Sequence, residues 1–371
     1  MLRTLVAEPS VSCIDPVHDQ GNLGVINHLG GWLEDLGFSV AVERLTHRPG
    51  KANLIARRGD GADGLVLAGH TDTVPCDESL WSADPFMLTE RDSRFYGLGA
   101  TDMKGFFPLA LTAAARHRDS KLRHPLTIIA TADEESSMAG ARQLAANGVV
   151  KAAAAVIGEP TGLQPVRAHK GVAMISIAIT GSSGHSSNPD LGDNALDAMH
   201  RVIGALVSFR RELAERHVDP AFEVRVPTLN LGCLHAGDNP NRICEHAELQ
   251  IDLRLLPGMD TRRVIDELRD RTEAACADTT VSVGPLFEPI DPYQTPADGN
   301  LVRSLESLSG RTARTVAFGT EAPFFQSLGM ETVIFGPGSI DQAHQPDEYL
   351  DADQIRPAED ALTALIARYC L

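Results

Sequence analysis

The chain has 371 residues, 43% of them apolar, and a formal net charge of −17. This length exceeds one ordinary hydrophobic core and predicts two domains, while the negative charge argues against a nucleic acid partner, whose phosphates are also negative. No apolar run reaches the roughly 18 residues of a membrane span, and the first residues lack the features of a signal peptide, so we expect a cytoplasmic protein without membrane contact.

Short apolar segments alternate with helical patterns over residues 38–184 and again from residue 296 onward, which predicts an open α/β sheet. The predicted strands of this sheet are residues 64–70, 126–132, 152–159 and 330–338. Helical spacing of apolar residues predicts helices at residues 104–117 and 353–369.

Between residues 171 and 284 the order of elements changes. The pattern predicts a strand at 172–180, a helix at 194–216, strands at 228–234 and 247–256, a helix at 261–275 and a strand at 279–283. This βαββαβ order is typical of a ferredoxin-like α+β unit. We therefore predict a mixed-sheet catalytic domain with helices on both faces, formed by residues 1–171 and 286–371 and interrupted by an inserted domain, residues 172–285.

Acidic and histidine residues stand where the predicted strands end, the edge at which open α/β sheets bind ligands. These residues are His70, Asp72, Asp102, Glu134, Glu135, Glu159 and His344. Any one such acid is more often a helix cap or a solvated loop residue. Carboxylates gathered about 4 Å apart, however, would repel by roughly 4 kcal/mol per pair, against a total stability of about 5–15 kcal/mol. Cations must offset this repulsion.

The side-chain types of these residues indicate which cations they would bind. Imidazole and carboxylate without thiolate suit zinc, cobalt or manganese, and the six cysteines lack the spacing of a thiolate site or a disulfide framework. Five candidate ligands exceed what one catalytic zinc takes from protein and suit two ions that share a carboxylate. We predict two divalent ions per chain, Zn²⁺ first and Co²⁺ as the alternative, held by His70, Asp102, Glu135, Glu159 and His344.

Two further acids receive roles from local geometry. Adjacent side chains at a strand end point in different directions, so Glu135 is predicted to bind metal while Glu134 acts as the general base. Residues i and i+2 of an extended segment share a side, so we predict that Asp72 holds the other ring nitrogen of His70 and fixes its tautomer.

Several long stretches carry a resemblance over nearly the whole chain. They are "LAGHTDTVP" (67–75), "YGLGATDMKG" (96–105), "ATADEESSMAGAR" (130–142), "IGEPTGLQPVRAHKG" (157–171), "GHSSNP" (184–189) and "GPGSIDQAHQPDEYL" (336–350). Together they resemble the two-zinc aminoacylase and carboxypeptidase family of metallopeptidases. The resemblance implies one metal on His70 and Glu159, a second on Glu135 and His344, and Asp102 as the bridge.

The resemblance also implies a homodimer joined through the inserted domain. In such a dimer His185 reaches the partner's active site and stabilises the oxyanion. From the residues alone, His185 is more often a structural loop residue. A cis peptide bond between Asp102 and Met103 is a further expectation from the family.

The implied reaction is hydrolysis of an N-acyl amide by a metal-bridged hydroxide, with N2-acetyl-L-ornithine of arginine biosynthesis as the expected substrate. Acetylcitrulline and succinyl-diaminopimelate are alternative substrates within the family. A non-catalytic, metal-stabilised dimer is the alternative of another class, and the base Glu134 argues against it. A dinucleotide site is disfavoured because Asp102 stands where the third glycine after Gly97 and Gly99 would fall.

The chemical groups of the expected substrate suggest further candidate binding residues. Arg254, in an apolar strand, and the neighbouring Asn241 are candidates for the α-carboxylate, whereas Arg242 is at least equally suited to a surface role. Thr320 and Glu321 follow a predicted strand and open a helix. Glu321 is a candidate receptor for a distal amine, although an acid in the first turn of a helix also complements the helix dipole.

Overall fold

The computed structural model describes residues 1–276 and 279–371. The helices are α1 (Leu2–Val6), α2 (Leu23–Asp35), α3 (Phe106–Ala115), α4 (Ala139–Asn147), α5 (Ala195–Arg216), α6 (Thr261–Ala275), α7 (Asn300–Ser309), α8 (Ala322–Ser327) and α9 (Ile355–Cys370). The first eight strands are β1 (Ser39–Arg44), β2 (Ala52–Arg58), β3 (Leu65–His70), β4 (Thr89–Arg91), β5 (Arg94–Tyr96), β6 (Leu126–Thr131), β7 (Ala154–Ile157) and β8 (Val166–His169). The others are β9 (Gly171–Thr180), β10 (Thr228–Ala236), β11 (His246–Leu255), β12 (Thr280–Pro285), β13 (Tyr293–Gln294), β14 (Arg314–Val316), β15 (Glu331–Ile334) and β16 (Tyr349–Asp351).

The chain divides into two compact units. Unit 1 comprises Met1–Arg167, Thr295–Arg314 and Thr320–Leu371, and unit 2 comprises Ala168–Gln294 and Thr315–Gly319. The predicted insert, residues 172–285, falls inside unit 2. This unit begins four residues earlier, ends its main segment at Gln294 and also includes the short segment Thr315–Gly319.

A mixed sheet forms the centre of unit 1. Its strands run in the order β1-β2-β6-β3-β7-β15-β8. β6, β3, β7 and β15 are mutually parallel, and β1 and β2 are antiparallel additions at one side. Every residue of β3, β6 and β7 is buried, as expected for continuous apolar strands covered on both faces. Residues of α2, α3, α7 and α9 complete the same hydrophobic core.

The apolar strands at the centre of this sheet were predicted, whereas β1 and β2, of six and seven residues, were not. The predicted strands 152–159 and 330–338 form ladders only over Ala154–Ile157 and Glu331–Ile334, because the chain beyond them turns into the loops of the sheet edge. A small sheet, β16-β5-β4, was not predicted because each of its strands is only three residues long. α1 is short, and its Leu5 and Val6 are fully buried.

Unit 2 contains the predicted ferredoxin-like unit. The elements follow the order β9-α5-β10-β11-α6-β12, and the sheet order is β10-β11-β9-β12 with antiparallel pairing throughout. Asn194 caps α5 by accepting from the amides of Leu196 and Asp197, and Asp260 caps α6 at Arg263. The mixed α/β architecture with an inserted α+β unit is therefore confirmed.

Two general features agree with the composition. All six cysteines are free thiols. Over residues 1–276 and 279–371, no helix combines the length and the apolar character needed to cross a membrane.

Candidate metal centre

Three neighbouring parallel strands bring predicted ligands to one edge of the sheet. β3 ends at His70, and its neighbours β6 and β7 run parallel to it, with His70 opposite Thr131. Glu135 follows the end of β6, and Glu159 follows the end of β7. Because the carboxyl ends of parallel strands meet at one edge, these side chains converge.

The five predicted ligands form two triplets that share Asp102. In the first triplet, His70 Nε2 lies 3.0 Å from Asp102 Oδ1 and 4.0 Å from Glu159 Oε1. In the second, His344 Nε2 lies 3.4 Å from Asp102 Oδ2 and 3.1 Å from Glu135 Oε1. The donor atoms within each triplet all lie within 4.8 Å of one another. The two oxygens of Asp102 thus face different imidazoles, the arrangement of a carboxylate that bridges two ions.

The donor set fits a pair of divalent ions. Each triplet offers one imidazole nitrogen and two carboxylates, which suit zinc and related transition metals. His70, Asp102 and Glu159 are 0%, 6% and 5% exposed, so water does little to screen their mutual repulsion. The two triplets together contain three carboxylates, and two divalent ions can offset the negative charge of these groups.

Burial and mutual contacts shift the pKa values of the cluster's side chains in different directions. Burial alone would raise the pKa of Asp102, but hydrogen bonds from His344 and His70 outweigh it and hold that pKa well below its usual range. Hydrogen bonds to Asp102 and Glu135 raise the pKa of His344 to about 10. Burial raises the pKa of Glu159 well above its usual range, and the charge of Asp102 adds to the shift. A metal ion must displace such protons when it binds.

Glu134 borders the triplets. One of its carboxylate oxygens lies within 4.8 Å of donor atoms of His70 and Glu135. Burial raises the pKa of Glu134 well above its usual range; the charge of His70 opposes this shift, and Glu159 and Glu135 reinforce it. A carboxyl group with a raised pKa beside the ligands has the properties that a general base requires.

Two oxygens of Asp72 lie near the other ring nitrogen of His70. His70 Nδ1 lies 3.0 Å from the backbone carbonyl oxygen of Asp72 and 3.8 Å from its carboxylate Oδ1. The carboxylate faces the backbone amide of Glu135 instead, which donates to Asp72 Oδ2 at 3.0 Å. The acceptor for His70 Nδ1 is therefore the backbone of Asp72, and it fixes the same tautomer that the carboxylate would.

A buried ion pair holds the turn that carries Glu134 and Glu135, and the sequence analysis did not find it. Asp133 is fully buried with a φ of 67°, a conformation that Asp tolerates better than most residues. Its carboxylate pairs with the buried Lys51 and accepts a hydrogen bond from Ser12 Oγ at 2.7 Å. The sequence offered one sign of this ion pair, because Asp133 is a third acid directly before Glu134 and Glu135.

The loop that leads to Asp102 turns at a glycine. Gly99 has a φ of 79°, and a Cβ there would lie 2.8 Å from Thr73 Cγ2. The peptide bond between Asp102 and Met103 is cis, which confirms the expectation from the family.

Glu321 and Thr320 are buried residues of unit 1. Thr131 Oγ1 donates a hydrogen bond to Glu321 Oε2 at 2.8 Å, whereas Glu321 Oε1 is buried without a hydrogen-bond partner in the described part of the chain. Burial raises the pKa of Glu321 to about 7. Thr320 Oγ1 accepts from the amide of Ala322 at 3.1 Å and so caps the start of α8.

The other predicted site residues belong to unit 2. His185 is exposed, its Nδ1 lies 2.7 Å from Ser187 Oγ, and it forms a β-bridge with Arg242. Asn241 adjoins this bridge. Arg254 lies apart from them on β11, where its guanidinium pairs with Asp252 at 2.9 Å. The structure thus places His185 next to Asn241 but not next to Arg254.

Comparison with known proteins finds relatives that are similar to this chain in sequence. The sequence profile of peptidase family M20/M25/M40 matches residues 66–368. An acetylornithine deacetylase of Proteus mirabilis is 48% identical over 374 residues, which cover 100% of this chain and 96% of that protein.

Solved structures share the fold. A metallo-carboxypeptidase of the M20 family from Sulfolobus solfataricus superposes with a TM-score of 0.77 at 21% identity, over 98% of this chain and 97% of that one. A dinuclear metal-binding peptidase of the same family from Bacillus subtilis has a TM-score of 0.69 at 18% identity, over 99% and 96% of the two chains.

The fold and the paired triplets define a metal-dependent hydrolase. The profile match over most of the chain and the full-length identity to a relative make the assignment specific. The chain belongs to peptidase family M20/M25/M40.

Proposed function

We propose that the protein hydrolyses the amide of N2-acetyl-L-ornithine to L-ornithine and acetate, a step of arginine biosynthesis, in the cytoplasm. The observation that carries this proposal is the pair of triplets joined by Asp102, with Glu134 beside them. The identity to the Proteus mirabilis deacetylase supports the choice of substrate.

Two divalent ions, Zn²⁺ first, are the proposed cofactors. His70 and Glu159 would hold one ion, Glu135 and His344 the other, and Asp102 both. When bound, such ions lower the pKa of water to about 7 and polarise the amide carbonyl.

Glu134 and Asp72 take the supporting roles in this proposal. Glu134 accepts the proton of the attacking water at its carboxylate and passes it to the leaving amine. Burial raises the pKa of Glu134 above its usual range, which makes its carboxylate a stronger proton acceptor. The backbone carbonyl of Asp72 keeps the proton of His70 on Nδ1 and leaves Nε2 free as a ligand.

Substrate recognition is assigned to four residues. Arg254 binds the α-carboxylate, since a guanidinium fork matches a carboxylate. Asn241 adjoins His185 and lies apart from Arg254 in one chain, so its proposed contact with the α-carboxylate would come from the partner subunit that also supplies His185. Thr320 and Glu321 bind the other end of the substrate. The buried Oε1 of Glu321 has no hydrogen-bond partner in the described residues, and the distal ammonium of ornithine would supply one. His185 stabilises the oxyanion in the partner subunit of a homodimer joined through the inserted domain.

The test of the proposed function measures metal content and turnover together. We expect about two ions per chain by mass spectrometry, and loss of acetylornithine hydrolysis on chelation that added Zn²⁺ or Co²⁺ restores. Glu134→Gln should keep both ions and lower kcat by about 10²–10⁴-fold. Undiminished turnover in a protein with less than one ion per chain would refute the proposal.

A further inference from the structure

Glu348 is a buried carboxylate outside the proposed metal ligands. It follows His344 by four residues and is 1% exposed. Glu348 Oε1 accepts hydrogen bonds from the backbone amides of Thr101 at 2.7 Å and Asp102 at 2.9 Å, and Oε2 accepts from Gly99 at 3.0 Å. All three donors belong to the loop that presents the shared carboxylate.

Further contacts join the same two segments. The amide of Gly97 donates to the carbonyl oxygen of Glu348 at 3.0 Å, and Thr101 Oγ1 donates to the carbonyl oxygen of Tyr349. β16 also pairs with β5, where Tyr349 lies opposite Tyr96. The loop before α3 and the segment after His344 are thus fixed to each other at several points.

We propose that Glu348 is a positioning residue for the second triplet, formed by Asp102, Glu135 and His344. By holding the backbone at Asp102, Glu348 sets the direction of the shared carboxylate relative to His344. This inference rests on the proposed function, because it assumes that the two triplets hold metal ions.

The geometry of Asp102 explains why such a residue is needed. Asp102 directs Oδ1 to His70 and Oδ2 to His344, so a small rotation of its backbone would withdraw one oxygen from its triplet. Glu348 accepts a hydrogen bond from the amide of Asp102 itself, at 2.9 Å, and so restrains the backbone of that residue. Replacing a residue that orients a ligand typically changes metal affinity by about 10–100-fold.

The first triplet has supports of its own. The position of His70 is fixed by the β3 ladder and by the Asp72 carbonyl, and Glu159 directly follows the β7 ladder. His344, by contrast, lies in a loop and has a φ of 60°. Loss of Glu348 should therefore weaken the second metal site more than the first.

The experiment titrates metal-free protein with Co²⁺, followed by calorimetry and by the visible absorption of the bound ion. Glu348→Gln keeps the shape of the side chain but places an N–H₂ group against the backbone amides. Glu348→Asp keeps the carboxyl group and withdraws it from them. The matched control is Glu331→Gln, because Glu331 Oε1 also accepts a backbone amide hydrogen bond, from Leu301 at 2.8 Å, at the start of α7.

We expect both Glu348 variants to bind the first ion within about 3-fold of the unmodified protein and the second about 10–100-fold more weakly, with an altered Co²⁺ spectrum. Glu331→Gln should bind both ions normally. Normal binding of the second ion by Glu348→Gln would overturn the inference. Normal binding of the second ion by Glu348→Asp, with weak binding by Glu348→Gln, would also overturn it, because the charge of Glu348 and not its hydrogen bonds would then support the second ion. If the unmodified protein bound no second ion, the proposed function itself would fail.

Discussion

Asp102 is the residue on which the metal centre depends most, since both triplets use it. Its two oxygens lie 3.0 Å from His70 Nε2 and 3.4 Å from His344 Nε2. Glu135 also stands beside both histidines, but it joins His70 in a separate group with Glu134. A single substitution there would remove a ligand from two ions at once.

Glu321 allows a test of substrate choice at the scale of one residue. Glu321→Gln keeps the shape and removes the charge that the proposal pairs with the distal ammonium. We expect kcat/KM for acetylornithine to fall about 10–100-fold, because a hydrogen bond to a charged group contributes about 1.5–3 kcal/mol. Steady-state kinetics on acetylmethionine, which lacks the ammonium, provide the control and should change little. An equal loss on both substrates would remove the recognition role.

Residues of the centre differed in how well the sequence predicted them. His70 ends a buried apolar strand, and Glu135 and Glu159 follow two others within four residues, so their convergence followed from the strand pattern alone. Asp133 and Glu348 act through a buried ion pair and through backbone amides that are distant in the chain. No local periodicity marks such contacts, and only the folded backbone reveals them.

At the scale of elements, helix α3 packs closely against the ends of β3 and β7. An added Cβ at Gly158, the residue before Glu159, would lie 2.2 Å from Phe106 Cγ at the start of α3. A Cβ at Gly69, the residue before His70, would lie 2.4 Å from Met103 Cε. The two ligands are thus carried by strand ends that leave no room for a side chain beneath them.

This packing predicts the outcome of a paired substitution. Gly158→Ala should lower the free energy of unfolding by about 1–3 kcal/mol through overpacking and weaken the first metal site. Gly204→Ala, in the middle of α5 where a new Cβ would have no neighbour within 4 Å, is the control and should gain about 0.5–1 kcal/mol. Urea unfolding of the metal-free proteins measures the free energy of unfolding of both variants. A Gly158→Ala protein as stable as the unmodified one would contradict the packing argument.

Length helped but did not decide which elements were predicted, since the 13-residue α2 and the seven-residue β2 were missed. The ten-residue β9 and the 22-residue α5 show clear alternation and helical periodicity, and their predicted bounds differ from the observed ones by one residue. β4, β5 and β16 have three residues each, too few to show a period. Their pairing depends on long-range contacts instead.

At the scale of the whole molecule, the order βαββαβ was enough to predict an antiparallel unit inside an α/β chain. The partly parallel sheet of unit 1 followed from strands that are apolar throughout. The order of its strands could not be read from the sequence, because β15 joins β7 across the entire intervening unit. Topology of that kind is a property of the folded chain.

The proposed homodimer predicts that inactive chains can complement each other. We expect His185→Ala and Glu134→Ala proteins, each nearly inactive, to recover activity after subunits are exchanged. With random exchange of equal amounts, about half the dimers are mixed and each has one complete site, so activity should reach about a quarter of that of the unmodified protein. Assays before and after exchange measure this. Absence of recovery in a verified mixed dimer would rule out a role for His185 across subunits.

The last ligand, His344, is separated in the chain from the other four by the whole of unit 2. During synthesis on the ribosome, His70, Asp102, Glu135 and Glu159 emerge long before it. A nascent chain therefore has the proposed residues for one ion early and completes the proposed second site only after the whole of unit 2 has been translated. A product that terminates prematurely, anywhere before that histidine, would accordingly lack a full pair of ions.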